Sequence, residues 1–153
     1  NANFETGHLG TNLERVLRSC HHPVLVASRD FKAPESFLLA FDGGNSAKKA
    51  VEFATENPLL KGLTCHLVTV SNHREILNAH QEAIKALKAA GYTVESYIFN
   101  GSPEKLIIEI IQKMSIGLVV MGAYGHSQIR QLIVGSTTTS IIRAILTPVL
   151  LFR

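Results

Sequence analysis

Apolar and polar positions along this chain change period several times, and each change marks a boundary between a strand and a helix. Residues 36–41 (SFLLAF) form a short, nearly uninterrupted apolar run between the Pro-containing stretch SRDFKAPE and the turn signal DGGN, the pattern of a strand buried on both faces. Residues 64–70 repeat it, residues 93–99 alternate as a third strand, residues 117–121 form a fourth, and TPVLLF supplies a closing strand. The segments between them follow a helical period. Ala47, Val51, Phe53 and Ala54 face one way in a helix that Asn45 or Ser46 can cap and that Asn57-Pro58 stops. Ile76, Leu77, Ala79, Ala83, Ile84 and Leu87 lie near one stripe of residues 76–90, with His80 the polar exception and Gly91 the stop. Ser102 can cap a further helix with Pro103 at its first position, and residues 104–114 continue it, rich in Ile and Leu.

Strands alternating with amphipathic helices at this spacing predict a parallel sheet with helices on both faces, because each return to a parallel neighbour needs a crossover. At 153 residues and 46% hydrophobic the chain is long and apolar enough for one domain with a substantial core. An open five-stranded α/β sheet of the flavodoxin type or half of a dinucleotide fold is the expectation. Ligands of such sheets bind beyond the carboxyl ends of the strands where the strand order reverses.

The run GAYGHSQIRQLIVGST begins at the end of the fourth strand. Gly122 and Gly125 stand three apart, nine residues follow, and Gly135-Ser136 opens a periodic apolar helix. Residues without bulk let backbone N–H groups close on a phosphate chain, and a helix start beginning Gly-Ser-Thr leaves amides free where the helix dipole favours anions. This spacing, G-x2-G-x9-G-[ST] after a strand ending Met-Gly, resembles the nucleotide-binding signature of the universal stress protein family. LLAFDGG, VTV and TPVLLF stand in that family's order, so the resemblance covers residues 36–153.

The resemblance implies strand order 3-2-1-4-5, which makes the first and fourth strands neighbours. It implies ATP or another adenine nucleotide as ligand. Asp42 would meet the ribose or a Mg2+ carried by the nucleotide, although the same residue can close an Asx turn or cap a helix. Ala40 and Val70 would border the adenine, Met121 and Gly122 would form the wall beneath it, and Gly125, Gly135, Ser136 and Thr137 would hold the phosphates. Val70 and Met121 would also be core residues in any sheet of this kind. The chain departs from the family in reading Asp42-Gly43-Gly44 where Asp-Gly-Ser is usual, which removes a hydroxyl and loosens the ribose contact.

An internal repeat concerns the N-terminal segment. Residues 10–27 (GTNLERVLRSCHHPVLVA) align without a gap on residues 135–152 (GSTTTSIIRAILTPVLLF) at a constant offset of 125. Gly10/Gly135, Arg18/Arg143, Pro23/Pro148, Val24/Val149 and Leu25/Leu150 are identical, where average residue usage gives about one match by chance. Residues 1–28 therefore read as the closing helix and strand of a preceding copy, ahead of a nucleotide-binding domain at 36–153. The opening Asn-Ala without Met suits an excised second half of a tandem protein. The strand at 24–27 is expected antiparallel against 149–152, and a homodimer or a tandem partner is expected at the last strand.

Other chemistries are poorly supported. The net charge of +3 is spread over scattered Lys and Arg without interleaved aromatics, which argues against nucleic acid as a partner. No apolar stretch reaches the ~18 residues of a membrane span, and no charged-then-apolar leader opens the chain, so a cytoplasmic location is expected. Cys20 and Cys65 lack metal or redox spacing and read as small apolar groups. No G-x-x-x-x-G-K-[ST] occurs, and His126 and Arg130 have no evident base beside them, so nucleotide binding with at most slow ATPase activity is expected. A regulatory, stress-response module is the first functional reading. A nucleotide-independent dimerisation or interaction module of the same fold is the second.

Overall fold

The computed structural model describes residues 11–30, 32–123 and 136–153. In chain order the elements are α1 (Thr11–Ser19), β1 (Val24–Val26), β2 (Ser36–Ala40), α2 (Asn45–Glu56), β3 (Thr64–Val70), α3 (Arg74–Ala89), β4 (Val94–Phe99), α4 (Pro103–Lys113), β5 (Leu118–Gly122), α5 (Ser136–Ala144) and β6 (Val149–Phe152). One sheet takes all six strands in the order β1-β6-β5-β2-β3-β4. The five strands from β2 to β6 are mutually parallel, and β1 joins β6 antiparallel.

Both faces of the sheet are covered, which is why the central strands read as apolar runs. On one side Phe37, Leu39, Leu67, Val120 and Leu150 pack under Ala47, Ala50 and Ala54 of α2 and Ala83 and Leu87 of α3. On the other, Leu38, Val68, Val119, Met121 and Leu151 meet Ile107, Ile110 and Ile111 of α4, Ile141 of α5 and Leu17 of α1. Ile141 is fully buried, and truncating such a side chain to Ala costs about 2–5 kcal/mol. Among the described residues no helix is long and apolar enough to cross a membrane.

The sheet corrects the expected five strands to six. β1 lies on the edge of β6, with Val24 opposite Leu151, Leu25 opposite Leu150 and Val26 opposite Val149. The physical reason is the apolar edge of β6, whose unpaired N–H and C=O groups are met by a strand of the same chain at high effective concentration. The helix preceding β1 is also built in, since Leu17 is buried and the Arg153 guanidinium donates to the Arg18 carbonyl. With the 125-residue offset, Leu25 faces its own equivalent, while Val24 and Val26 face equivalents of one another. The pairing is thus two-fold symmetric about Leu25–Leu150, the geometry of an isologous contact. Yet Leu150 is buried and Leu25 is 58% exposed.

Local boundaries shift for identifiable reasons. α2 starts at Asn45 with Gly44 at its N-cap, so Asn45 and Ser46 lie inside the helix and do not cap it, and the N-cap glycine has no side chain to do so. β5 starts at Leu118, and a Cβ on Gly117 would stand 2.8 Å from Pro34, so Gly117 is where the linker before β2 passes the sheet.

Candidate functional site

The site forms where the strand order reverses, at the carboxyl ends of β2 and β5. These are adjacent strands, with Ala40 opposite Met121. The chain leaves β2 through Phe41 into Asp42, whose exposed carboxylate accepts the Gly44 N–H at Oδ1 over 2.8 Å. Gly43 makes this turn possible with φ of +77°, in the left-handed region that side chains disfavour. A Cβ on Gly44 would sit 3.0 Å from the same Oδ1, so the Asp42-Gly43-Gly44 loop is packed around a missing side chain. Asp42 therefore closes an Asx turn, and the residue is exposed just past the carboxyl end of β2.

Gly122 ends β5 against the first turn of α2, where a Cβ would stand 2.7 Å from Cβ of the buried Ser46. Its carbonyl accepts from Thr138 Oγ1 over 3.0 Å, which ties the first turn of α5 to the end of β5. The Ala123 N–H donates to the Phe152 carbonyl over 2.7 Å. Both flanks of residues 124–135 are thus anchored to the sheet. Gly125 and Gly135 lie outside the described residues, as does the side chain of Ser136, the first residue of α5. Thr137 is half-buried, and its hydroxyl donates to Glu104 Oε1 over 3.0 Å.

Ala40, Val70 and Met121 share the face of the sheet that packs against α4 and α5. Met121 is a buried core residue, while Ala40 and Val70 are half-buried at the strand ends. Phe99 was not singled out from sequence and joins them on this face, paired with Val70 at the end of β4 and stacked on Tyr97. Its signal was only an aromatic at the last position of an alternating strand.

A buried polar network lies directly behind the β2 turn. Thr69 Oγ1 donates its one proton to the Phe41 carbonyl over 2.8 Å and must therefore accept from His80 Nδ1, 2.7 Å away. That places the proton of the neutral imidazole on Nδ1, and Nε2 accepts from Ser96 Oγ over 2.7 Å. His80 is fully buried, and burial pushes its pKa below the ordinary histidine value. The polar exception on the α3 stripe thus has a partner on two strands and fixes the carbonyl that precedes Asp42. Cys65 is buried and its thiol is pushed up to about 12 by burial, whereas Cys20 is half-buried. Among the described residues no group of His, Cys, Asp or Glu is arranged to hold a metal ion.

A doubly wound sheet with an acidic turn and a helix start held at the carboxyl ends of two adjacent central strands defines an open α/β domain. The model of the universal stress protein family matches residues 72–153, and the chain belongs to that family. It is similar to the universal stress protein Slr1230 of Synechocystis, with 39% identity over 99% of this chain and 54% of that protein. It is also similar to the crystal structure of a universal stress protein from Archaeoglobus fulgidus, with TM-score 0.74 and 26% identity, covering 92% of this chain and 52% of the other. A universal stress protein solved in complex with cAMP superposes with TM-score 0.64 and 25% identity, over 80% of this chain and 98% of that one. The chain spans about half the length of Slr1230 and of the Archaeoglobus protein.

Proposed function

We propose that this chain binds an adenine nucleotide, ATP or a related ligand, in the crevice between the ends of β2 and β5. The observation that carries the reading is the convergence of Asp42 and Gly122 on adjacent strands at the switch point, with the first turn of α5 held against the same strand end by Thr138. In this reading Ala40, Val70, Met121 and Gly122 border the base, and Asp42 meets the ribose or a nucleotide-borne Mg2+. Gly125, Gly135, Ser136 and Thr137 serve the phosphates. Binding of cAMP by a relative of similar fold supports the adenine assignment. The role is that of a regulatory module in stress response, with nucleotide occupancy biasing residues 123–134. Hydrolysis is slow or nil, since the sequence lacks a P-loop lysine and an evident base for water. Calorimetric titration of ATP with and without Mg2+ tests the reading. Saturable binding weakened about tenfold or more in Asp42→Ala supports it, and no binding by the parent chain refutes it.

The two-fold register at Leu25–Leu150 favours a second element of the reading. Residues 1–28 stand for the closing helix and strand of a preceding repeat, β1 holds the last-strand edge in place of that repeat's strand, and the exposed Leu25 surface beside it is the dimer or tandem contact. The coverage of about half of Slr1230 and the exposure of Leu25 agree with it. Sedimentation of the chain over a range of concentrations, with Leu25→Lys as comparison, tests whether a second copy covers that surface. A parent chain that stays monomeric at high concentration argues for a tandem partner instead.

A further inference from the structure

The pairing of β2 with β3 ends at Ala40 opposite Val68, two residues before Asp42. Beyond it the Phe41 N–H still donates to the Val68 carbonyl, but the Phe41 carbonyl is held by a side chain, the Thr69 hydroxyl, over 2.8 Å. A threonine hydroxyl can aim its single proton in several directions. What narrows that choice is His80, whose Nδ1–H occupies the hydroxyl oxygen over 2.7 Å, so the Thr69 proton cannot turn toward the ring. His80 is fixed in turn by Ser96 Oγ on β4 and by the Phe41 ring, edge-on at 6.5 Å between ring centroids. Donors and acceptors thus run without a break from the edge strand through α3 and β3 to the Phe41–Asp42 peptide. Two features depart from that peptide: the Asp42 carboxylate accepts the Gly44 N–H, and Gly44 is the N-cap of α2.

We propose that Thr69 and His80 are positioning residues of the candidate site, which orient the Phe41–Asp42 peptide plane and through it the Asp42 turn. The effect on binding rests on the nucleotide reading above, whereas the orientation of the turn rests on the hydrogen bonds alone. Both side chains are fully shielded from solvent, so they act through Asp42 and not on a ligand directly. A residue that only filled the core beneath α3 would add stability and leave the turn as it is. The Thr69 hydroxyl instead holds the one backbone carbonyl that immediately precedes Asp42, and it can do so only while His80 keeps its proton on Nδ1 and Thr69 keeps its oxygen.

Thr69→Val removes the hydroxyl and keeps the branched shape, while Thr69→Ser keeps the hydroxyl and loses a methyl group. Backbone amide NMR spectra of the full chain without nucleotide read the turn, because the Asp42 amide nitrogen is bonded to the Phe41 carbonyl carbon and shifts when that carbonyl loses its donor. Displaced Asp42, Gly43 and Gly44 signals are expected in Thr69→Val, with near-parent positions in Thr69→Ser. ATP affinity should fall about fivefold in Thr69→Val, the net worth of one hydrogen bond, and about twofold or less in Thr69→Ser. In the parent chain, long-range proton–nitrogen spectra of His80 should show the ring proton on Nδ1, the tautomer that free histidine in water disfavours, and this arm needs no variant to fold. A ring proton on Nε2 instead, or turn signals that stay in place in Thr69→Val or move equally in Thr69→Ser, overturns the positioning role. Displaced turn signals with unchanged ATP affinity overturn its bearing on binding. Turn signals that move as expected in a chain whose parent binds no ATP refute the nucleotide reading and leave the orientation of the turn standing.

Discussion

Replacing Gly122 by Ala places a methyl group 2.7 Å from Cβ of Ser46, where carbon atoms in contact normally stand at about 3.5–4.0 Å. Neither atom can swing away, since both are fixed to backbone, one at the end of β5 and one in the first turn of α2. Relief needs a shift of about 1 Å between a central strand and the helix over it, and overpacking of this kind costs about 1–3 kcal/mol. For a domain of this size that corresponds to a fall in Tm of about 3–10 °C. The same shift carries Asp42 away from the Gly122 carbonyl and the first turn of α5, so nucleotide affinity should fall with stability. Thermal unfolding by circular dichroism reads the first effect. Because Ser46 presents the opposing atom, Ser46→Gly should restore much of the lost stability in the double variant, although Gly in a helix itself costs about 1 kcal/mol. The interaction energy of the cycle is then stabilising and of order 1 kcal/mol or more. A Gly122→Ala variant melting within about 1 °C of the parent, or a cycle that is simply additive, would refute the packing argument.

Because burial lowers the pKa of His80 in the folded state, the unfolded chain takes up its proton first. Stability should hold above about pH 6.5 and fall as pH drops below it toward the lowered value, a slope that His80→Gln should reduce in urea titrations at pH 7 and pH 5.5. Cys65, buried and raised to about 12, should resist thiol reagents in the native chain while half-buried Cys20 reacts, and equal labelling rates would contradict the burial assignment. Leu150→Ala should cost about 2–5 kcal/mol, whereas Leu25→Ala, its neighbour across the β1–β6 pair, should cost under about 1 kcal/mol in a monomer. A large loss at Leu25 would mean that a second copy covers that face in solution.

How much of this molecule was legible in its sequence differs from element to element. The buried strands, the amphipathic helices and their alternation were written in local apolar period, since a strand covered on both faces must be apolar along its length. The Asp42 turn was legible because strand-end turns demand particular residue types at particular spacings. The offset of 125 announced a strand at residues 24–27 antiparallel to the last strand, of which Val24–Val26 forms, because equivalent sequences make equivalent edges. The tertiary structure alone decided what depends on contacts between distant segments. It decided that the cost of a Cβ at Gly122 is borne by Ser46, 76 positions away in the chain. His80 looked like a flaw in an apolar stripe, and only the crossing of α3 over β3 and β4 supplied Thr69 and Ser96 to satisfy it. Glu104 read as an ordinary first-turn acid of α4, and only the packing of α4 beside α5 turned it toward Thr137. Periodicity records which side of an element faces the core, whereas the partner across that core is chosen by the path of the chain, which no local pattern encodes.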